Sequence, residues 1–212
     1  MRQLPNLITF SRLFLAVAAF WFLDRLLNVA EPGPVHIRAA AYAFWFYLAA
    51  SLTDTLDGWV ARRWGWVTAL GRVADPVVDK VLTLGAFAYL SGIQWLTLTD
   101  DHDYIEQVVP IWAVVLLLAR EFLVTAVRGV VESHGLQFPA DRLGKAKMTL
   151  QTIYICVLIG AAGKVPDALG LPFLYWLREP LLIAVLFWVV VGMTAFSGLN
   201  YCVRATRMLR GT

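Results

Sequence analysis

Residues 38–62 read RAAAYAFWFYLAASLTDTLDGWVAR, an apolar run whose last part contains Asp54 and Asp57. A helix of about 20 apolar residues crosses a hydrocarbon core about 30 Å thick. Backbone groups in lipid need hydrogen-bond partners within the protein, so a run of this kind is expected to be helical. The stretch therefore predicts a membrane helix with acidic side chains near one end.

The rest of the 212-residue chain has the same apolar character. Hydrophobic residues make up 59% of the sequence, and the mean hydropathy of +0.66 is too high for a surface that faces water. Six apolar stretches predict an all-α integral membrane bundle of six transmembrane helices, forming a single domain over residues 1–212. The predicted spans are 8–28, 38–60, 74–98, 108–132, 146–163 and 179–203.

The basic residues predict the orientation of this bundle. With both termini cytoplasmic, four lysines and arginines lie outside (Arg25, Arg38, Lys164 and Arg178), while Lys80 and Arg120 lie within helices. The larger number of basic residues on the cytoplasmic side follows the positive-inside rule. It predicts a protein of the cytoplasmic (inner) membrane, with its polar face toward the cytoplasm. The cytoplasmic set is Arg2, Arg12, Arg62, Arg63, Arg72, Arg128, Arg142, Lys145, Lys147, Arg204, Arg207 and Arg210.

Other features of the sequence exclude several classes of protein. The net charge of +3 lies beside apolar runs and forms no separate basic stripe, which favours anionic lipid headgroups over nucleic acid as partners. Cys156 and Cys202 indicate neither a disulfide framework nor a zinc site. The first apolar stretch has no small-residue cleavage site and is expected to remain as a helix. Tyr201 is expected in an interfacial aromatic belt, with packing inside the bundle as the alternative, and Gln151 is expected to join helices.

Four aspartates form the most unusual group in the chain. Asp54 and Asp57 are three residues apart and Asp75 and Asp79 four apart, so each pair projects from one helix face. A basic turn from Arg62 to Arg72 would fold the two helices antiparallel and bring the carboxylates together near the cytoplasm. Repulsion and desolvation oppose four ionised carboxylates at one place, and divalent cations resolve this conflict. Oxygen ligands without histidine or cysteine favour Mg²⁺ or Mn²⁺, and this many carboxylates suit two ions.

A purely structural interpretation of the same residues stays open. The aspartates would then form ion pairs within the bundle, with Arg62, Arg63, Arg72 and Lys80 as partners. Gly58 and Gly71 would serve helix packing in that case, whereas beside a bound phosphate they would let the backbone approach closely.

These residues together, Asp54-x2-Asp57-Gly58-x2-Ala61-Arg62-x8-Gly71-x3-Asp75-x3-Asp79, resemble the full signature of the CDP-alcohol phosphotransferase family. The resemblance implies that an alcohol displaces CMP from a CDP-linked lipid by direct attack on phosphorus held by two metal ions. It implies that the four aspartates bind metal and that Asp79 is also the catalytic base. It further implies a homodimer, and a CDP site lined by Gly58, Ala61, Arg62 and Gly71.

Residues outside the signature indicate the acceptor. The segments Pro5-Asn6-Leu-Ile-Thr9-Phe-Ser-Arg12, Ala119-Arg120-Glu121 and Gly144-Lys145-Ala-Lys147-Met-Thr149-Leu-Gln151 resemble the phosphatidylglycerophosphate synthase branch. That branch uses CDP-diacylglycerol and sn-glycerol 3-phosphate. Asn6 and Thr9 are candidate CDP contacts. A phosphorylated acceptor also needs positive charge, for which Arg120, Arg128, Lys145 and Lys147 are the candidates.

Other interpretations of these residues remain. Arg120 could pair with Glu121 instead of phosphate, and the two lysines could be ordinary positive-inside charges. Within the family, a phosphatidylinositol-phosphate, phosphatidylserine or cardiolipin synthase is the alternative. Outside it, intramembrane acids also mark cation pathways in transporters, and a catalytically silent membrane scaffold is a third possibility.

Overall fold

The computed structural model describes residues 4–28, 34–64, 69–92, 108–136, 142–162 and 176–210, with side chains described for 11–28, 35, 37–53, 77–92, 108–136, 143–162 and 176–210. Across these ranges the chain forms helices and turns and no strand, which confirms the predicted all-α class for this part of the molecule. The six helices are α1 (Leu4–Asn28), α2 (Pro34–Trp64), α3 (Ala69–Leu90), α4 (Ile111–Ser133), α5 (Arg142–Ala162) and α6 (Pro180–Arg210).

Each helix covers most of one predicted span, and the largest difference is at the end of α3. This helix ends at Leu90, whereas the predicted span continues to residue 98. The Ser91 hydroxyl donates a hydrogen bond to the carbonyl of Ala88, and the Gly92 N–H bonds to the carbonyl of Tyr89. These bonds satisfy carbonyls that a longer helix would have used, so the helix stops there. Residues 93–98 lie outside the described residues.

The predicted basic turn from Arg62 to Arg72 is wrong in its extent. Helix α2 continues through Arg62 and Arg63 to Trp64, and α3 already begins at Ala69. The segment that follows Gly58 contains no glycine or proline before position 65, so nothing in it interrupts a helix. The connection is therefore residues 65–68, which lie outside the described residues.

Contacts between helices give their relative directions. Phe20 lies against Gly85 and Leu27 against Gly92, so α1 and α3 run parallel. Arg120 bonds to Ser197, and eight residues later Arg128 bonds to Tyr201, so α4 and α6 also run parallel. Parallel directions for helices two apart in sequence are expected when each successive helix reverses direction.

The bundle has a close-packed interior and an apolar exterior. Small buried side chains, among them Ala19, Ala40 and Ala43, let the helix backbones approach closely. Large apolar side chains face outward: Phe14, Phe122, Leu181 and Leu199 are each more than 60% exposed. Among the described residues, α6 alone is long and apolar enough to count as a candidate membrane span by hydropathy, while α4 and α5 carry charged side chains within their apolar stretches.

Candidate active site

The four aspartates lie on two neighbouring helices. Asp54 and Asp57 belong to α2, and Asp75 and Asp79 belong to α3. The predicted helical spacing of each pair therefore holds, but only the Asp79 side chain lies within the described part of the chain, where it is half-buried. The predicted CDP contacts also belong to helices, and their side chains lie outside the described residues: Asn6, Thr9, Gly58, Ala61, Arg62 and Gly71.

The aspartate cluster, defined as Asp54, Asp57, Asp75 and Asp79, suits a hard divalent cation by its chemistry. Carboxylate oxygens at helical spacing on two neighbouring helices are the donors that Mg²⁺ and Mn²⁺ prefer. Among the residues whose side chains are described, no group of three potential ligands occurs, and the cluster contributes only Asp79 to that set. The donor types therefore fit the predicted metal.

Asp79 faces positive charge on a neighbouring helix. Its carboxylate lies within electrostatic range of the Lys147 ammonium group on α5. The adjacent Lys80 turns to another helix, where its ammonium group donates a hydrogen bond to the Thr125 hydroxyl. The structural interpretation predicts Lys80 as an ion-pair partner of the aspartates, whereas its described hydrogen bond is to this hydroxyl on α4. Asp79 on α3 therefore connects the aspartate helices electrostatically to a basic residue of α5.

Glu121 holds two buried cations. Its Oε1 accepts a hydrogen bond from Arg120 Nη1 at 2.9 Å and another from the Lys147 ammonium group. The side chains of Arg120, Lys147 and Glu121 are only 8%, 3% and 16% exposed. Two cations that share one carboxylate leave the group with a formal charge of +1. The pairing of Arg120 with Glu121, given as an alternative above, is present, and it leaves these three side chains with a net positive charge.

Arg120 also contacts α6. Its Nη2 donates to the Ser197 hydroxyl at 2.9 Å, and its guanidinium carbon lies 5.6 Å from the centre of the Tyr201 ring. The Arg120 Nε atom is buried and has no hydrogen-bond partner among the described residues. Arg120 is therefore fixed by its terminal nitrogens while a third donor remains available within the described structure.

Arg128 reaches the same tyrosine. Its Nη2 lies 3.4 Å from the Tyr201 hydroxyl, while its buried Nε has no partner among the described residues. Both guanidinium groups thus contact one residue of α6. We call Arg120, Glu121, Arg128 and Lys147 the basic cluster. Its residues belong to α4 and α5, and its arginines contact α6.

Lys145 does not join this cluster. It is exposed, whereas Lys147 is buried, because two residues along a helix differ in direction by about 200°. The structure thus brings together three of the four basic residues predicted for the acceptor and places the fourth on the surface.

Sequence reasoning missed several members of this region. The sequence pattern indicates Glu121 only as a competing partner for Arg120, and it does not single out Ser197 or Thr194. For Tyr201 the structure favours packing over a lipid-facing belt: this side chain is 4% exposed and lies between two arginines. Its position seven residues after Thr194 and four after Ser197 was a usable signal, since such spacing gives one polar helix face. Gln151 donates to the Thr194 hydroxyl at 3.5 Å, which confirms its predicted helix-joining role.

Comparison with known proteins gives one family. Residues 2–196 match the family model of the CDP-alcohol phosphatidyltransferases. The CDP-diacylglycerol–glycerol-3-phosphate 3-phosphatidyltransferase of Bacillus subtilis is 32% identical over 204 residues, covering 93% of this chain and 95% of that protein. A probable phosphatidylglycerophosphate synthase of Mycobacterium tuberculosis is 31% identical over 211 residues, covering 99% and 84%.

A third relative carries a different name. The cardiolipin synthase (CMP-forming) of Streptomyces coelicolor is 27% identical over 212 residues, covering 98% of this chain and 84% of that protein. All three similarities extend over nearly the whole chain, as does the family match. The family predicted from the aspartate signature is thereby confirmed: this chain belongs to the CDP-alcohol phosphatidyltransferases.

Proposed function

We propose that this enzyme transfers the phosphatidyl group of CDP-diacylglycerol to sn-glycerol 3-phosphate, giving phosphatidylglycerophosphate and CMP. The observation that carries the proposal is the buried basic cluster, in which Arg120 and Lys147 share the single carboxylate of Glu121. A buried cation without full compensation is unfavourable unless an anion joins it. An acceptor that carries its own phosphate supplies that anion, whereas neutral inositol or serine does not.

The names of the relatives support the same acceptor. Two of the three relatives described above are named for glycerol 3-phosphate transfer or phosphatidylglycerophosphate synthesis. The relative named as a cardiolipin synthase makes that activity the second candidate. Its acceptor would also have to be an anionic phosphate compound to suit the basic cluster, so the two activities differ in the size and lipid character of the acceptor.

Members of this family generally use divalent metal ions. We assign Asp54, Asp57, Asp75 and Asp79 to two Mg²⁺ or Mn²⁺ ions, because the donors are carboxylates on adjacent helices. When bound, such ions stabilise negative charge on phosphoryl oxygens and make a hydroxyl group easier to deprotonate.

The residues of the chain account for the remaining steps. Arg120, Arg128 and Lys147 hold the acceptor's phosphate, with Lys145 adding charge at the entrance. Arg62 contacts the CDP phosphates, and Gly58, Ala61, Gly71, Asn6 and Thr9 line the rest of the CDP site. The acceptor's hydroxyl oxygen forms a bond to the lipid-linked phosphorus as the pyrophosphate P–O bond breaks. Asp79 takes the hydroxyl proton, and CMP leaves with the bonding electron pair.

Family members are membrane enzymes. We propose that all six helices cross the cytoplasmic (inner) membrane as one domain over residues 1–212, with both termini and the active site on the cytoplasmic side. The distribution of basic residues and the parallel α1/α3 and α4/α6 pairs support this topology. We further propose a homodimer on family resemblance; the molar mass of the protein in detergent, measured by light scattering, tests it.

An acceptor panel tests the activity. The purified protein is given CDP-diacylglycerol and Mg²⁺ with glycerol 3-phosphate, phosphatidylglycerol, inositol phosphate, inositol or serine, and CMP release is measured. We expect release with glycerol 3-phosphate, and its loss on chelation of the metal. Release only with phosphatidylglycerol would assign the cardiolipin activity instead. Metal flux into liposomes with no CMP release from any acceptor would support the transporter alternative.

A further inference from the structure

One face of α6 contacts both arginines of the basic cluster. This face consists of Ser197, Gly198 and Tyr201, which follow one another at helical spacing, and we call it the α6 face. All three residues are buried. Arg120 and Arg128 lie two helical turns apart on α4, about 12 Å along its axis. A single short segment of a different helix therefore meets both guanidinium groups.

Ser197 is fixed as an acceptor for Arg120. Its hydroxyl donates a hydrogen bond to the backbone carbonyl of Thr194 at 3.2 Å. With its hydrogen used in this way, the hydroxyl oxygen presents lone pairs, and Arg120 Nη2 donates to it at 2.9 Å. The direction of the serine hydroxyl thus sets the plane of the guanidinium group.

Gly198 gives the Arg120 side chain room to pass. A Cβ atom at this position would lie 3.0 Å from Arg120 Cγ, closer than ordinary van der Waals contact. By contrast, a Cβ at Gly192 on the same helix would meet no atom within 4 Å among the described residues. Any larger residue at 198 would push the arginine stem by a few tenths of an ångström.

Tyr201 serves the two arginines with different parts of its side chain. Its ring faces the Arg120 guanidinium at 5.6 Å, and its hydroxyl lies 3.4 Å from Arg128 Nη2. The start of α5 also approaches, since a Cβ at Gly144 would lie 3.7 Å from the hydroxyl. The aromatic face favours a cation over the ring, and the hydroxyl orients the second cation.

We propose that Ser197, Gly198 and Tyr201 are positioning residues that hold Arg120 and Arg128 in the geometry that binds the acceptor's phosphate. The inference rests on the proposed function and adds to it the α6 residues that determine affinity for the acceptor. A loose guanidinium must be ordered when the anion binds, whereas one held beforehand loses less entropy. The α6 face should therefore affect acceptor affinity and leave donor affinity nearly unchanged.

The test compares matched pairs of variants. Tyr201→Phe removes the hydroxyl and keeps the ring. Its control is Tyr154→Phe, because Tyr154 is also buried but its hydroxyl, unlike that of Tyr201, has no partner among the described residues. Gly198→Ala is paired with Gly192→Ala. We expect Tyr201→Phe and Gly198→Ala to raise the KM for the acceptor about three- to tenfold, with kcat and the KM for CDP-diacylglycerol changed by less than about twofold. The controls should match the wild type.

A double-mutant cycle separates positioning from general damage. If Tyr201 acts through Arg128, adding Tyr201→Phe to Arg128→Gln should raise the acceptor KM no further. An unchanged acceptor KM in Tyr201→Phe and Gly198→Ala would overturn the inference, and so would equal changes in both KM values together with a lower unfolding temperature.

Failure of the proposed function can be distinguished from failure of the inference, because the proposed function is tested with the wild-type protein alone. If wild-type protein releases CMP with a phosphate-bearing acceptor other than glycerol 3-phosphate, the same variants are measured with that acceptor, and the same outcomes decide. If it releases CMP with no such acceptor, both the proposed function and the inference are overturned.

Discussion

The aspartate cluster and the basic cluster are built in different ways. The four aspartates occur within 26 residues of sequence, on α2 and α3, at spacings that a helix converts directly into a shared face. The basic cluster combines residues far apart in the chain: Lys147 is 26 residues from Glu121, and Ser197 is 77 from Arg120. A site formed by adjacent helices is readable as a sequence motif, while a site formed by remote helices needs the packing to be known.

The two clusters also differ in charge balance. The aspartates are an excess of negative charge that a bound cation would neutralise. The basic cluster contains its own anion, Glu121, and retains a smaller positive excess. We therefore expect substitutions in the aspartate cluster to lower the rate of phosphatidyl transfer. Substitutions in the basic cluster should lower the stability of the protein and its affinity for the acceptor.

The largest effect should come from the aspartate cluster. Asp79→Asn removes the proposed base and a metal ligand at nearly constant volume, and we expect CMP release to fall by about a thousandfold or more. Asp24→Asn, on the exposed surface of α1, is the matched control and should retain activity. Activity within about tenfold of wild type in Asp79→Asn would remove Asp79 from the proposed chemistry.

Glu121→Gln should give the next largest effect, on stability. Arg120 and Lys147 would then lie buried together without the carboxylate that they share, and removing one partner of a buried ion pair costs about 3–5 kcal/mol. We expect the unfolding temperature in detergent to fall by about 6–20 °C. Glu132→Gln, at an exposed position of the same helix, is the control. Equal unfolding temperatures for the two variants would show that Glu121 is not balancing buried charge.

The smallest expected effect is a difference in acceptor KM between variants of Lys147 and Lys145. Lys147→Met should raise the KM for glycerol 3-phosphate about tenfold or more, because a buried cation interacts with phosphate through little water. Lys145→Met should raise it only about two- to threefold, since an exposed charge is screened by solvent and salt. Initial rates at varied acceptor concentration measure both. A larger effect at Lys145 would mean that phosphate binds at the surface.

Much of the fold followed from the sequence because hydropathy has a direct physical meaning in a membrane protein. The six helices coincide with the six apolar stretches, and the aspartate spacing identified the family. The end of α3 was not predictable from hydropathy, because the side chain of Ser91 and the N–H of Gly92 end the helix within an apolar stretch.

The arrangement of charges around Arg120 was only partly predictable. Its chemistry suggested a phosphate, and its neighbour Glu121 suggested an ion pair; the structure contains the pair and leaves Nε without a partner among the described residues. The sequence alone does not separate belt from packing for Tyr201, because aromatic residues near helix ends are common at membrane interfaces; its contacts with Arg120 and Arg128 show that it faces inward.

The length of α6 has a consequence for where the two reactants meet. A helix of 31 residues measures about 46 Å, roughly 16 Å more than the hydrocarbon core. In the proposed topology, a hydrocarbon core that begins at Pro180 ends near residue 200, which would put Tyr201 at the level where headgroups begin. A water-soluble phosphate ester can reach that depth without entering the hydrocarbon core. A lipid-linked nucleotide can reach it without leaving its leaflet. The reaction would then take place across a phase boundary, with each reactant remaining in its own solvent.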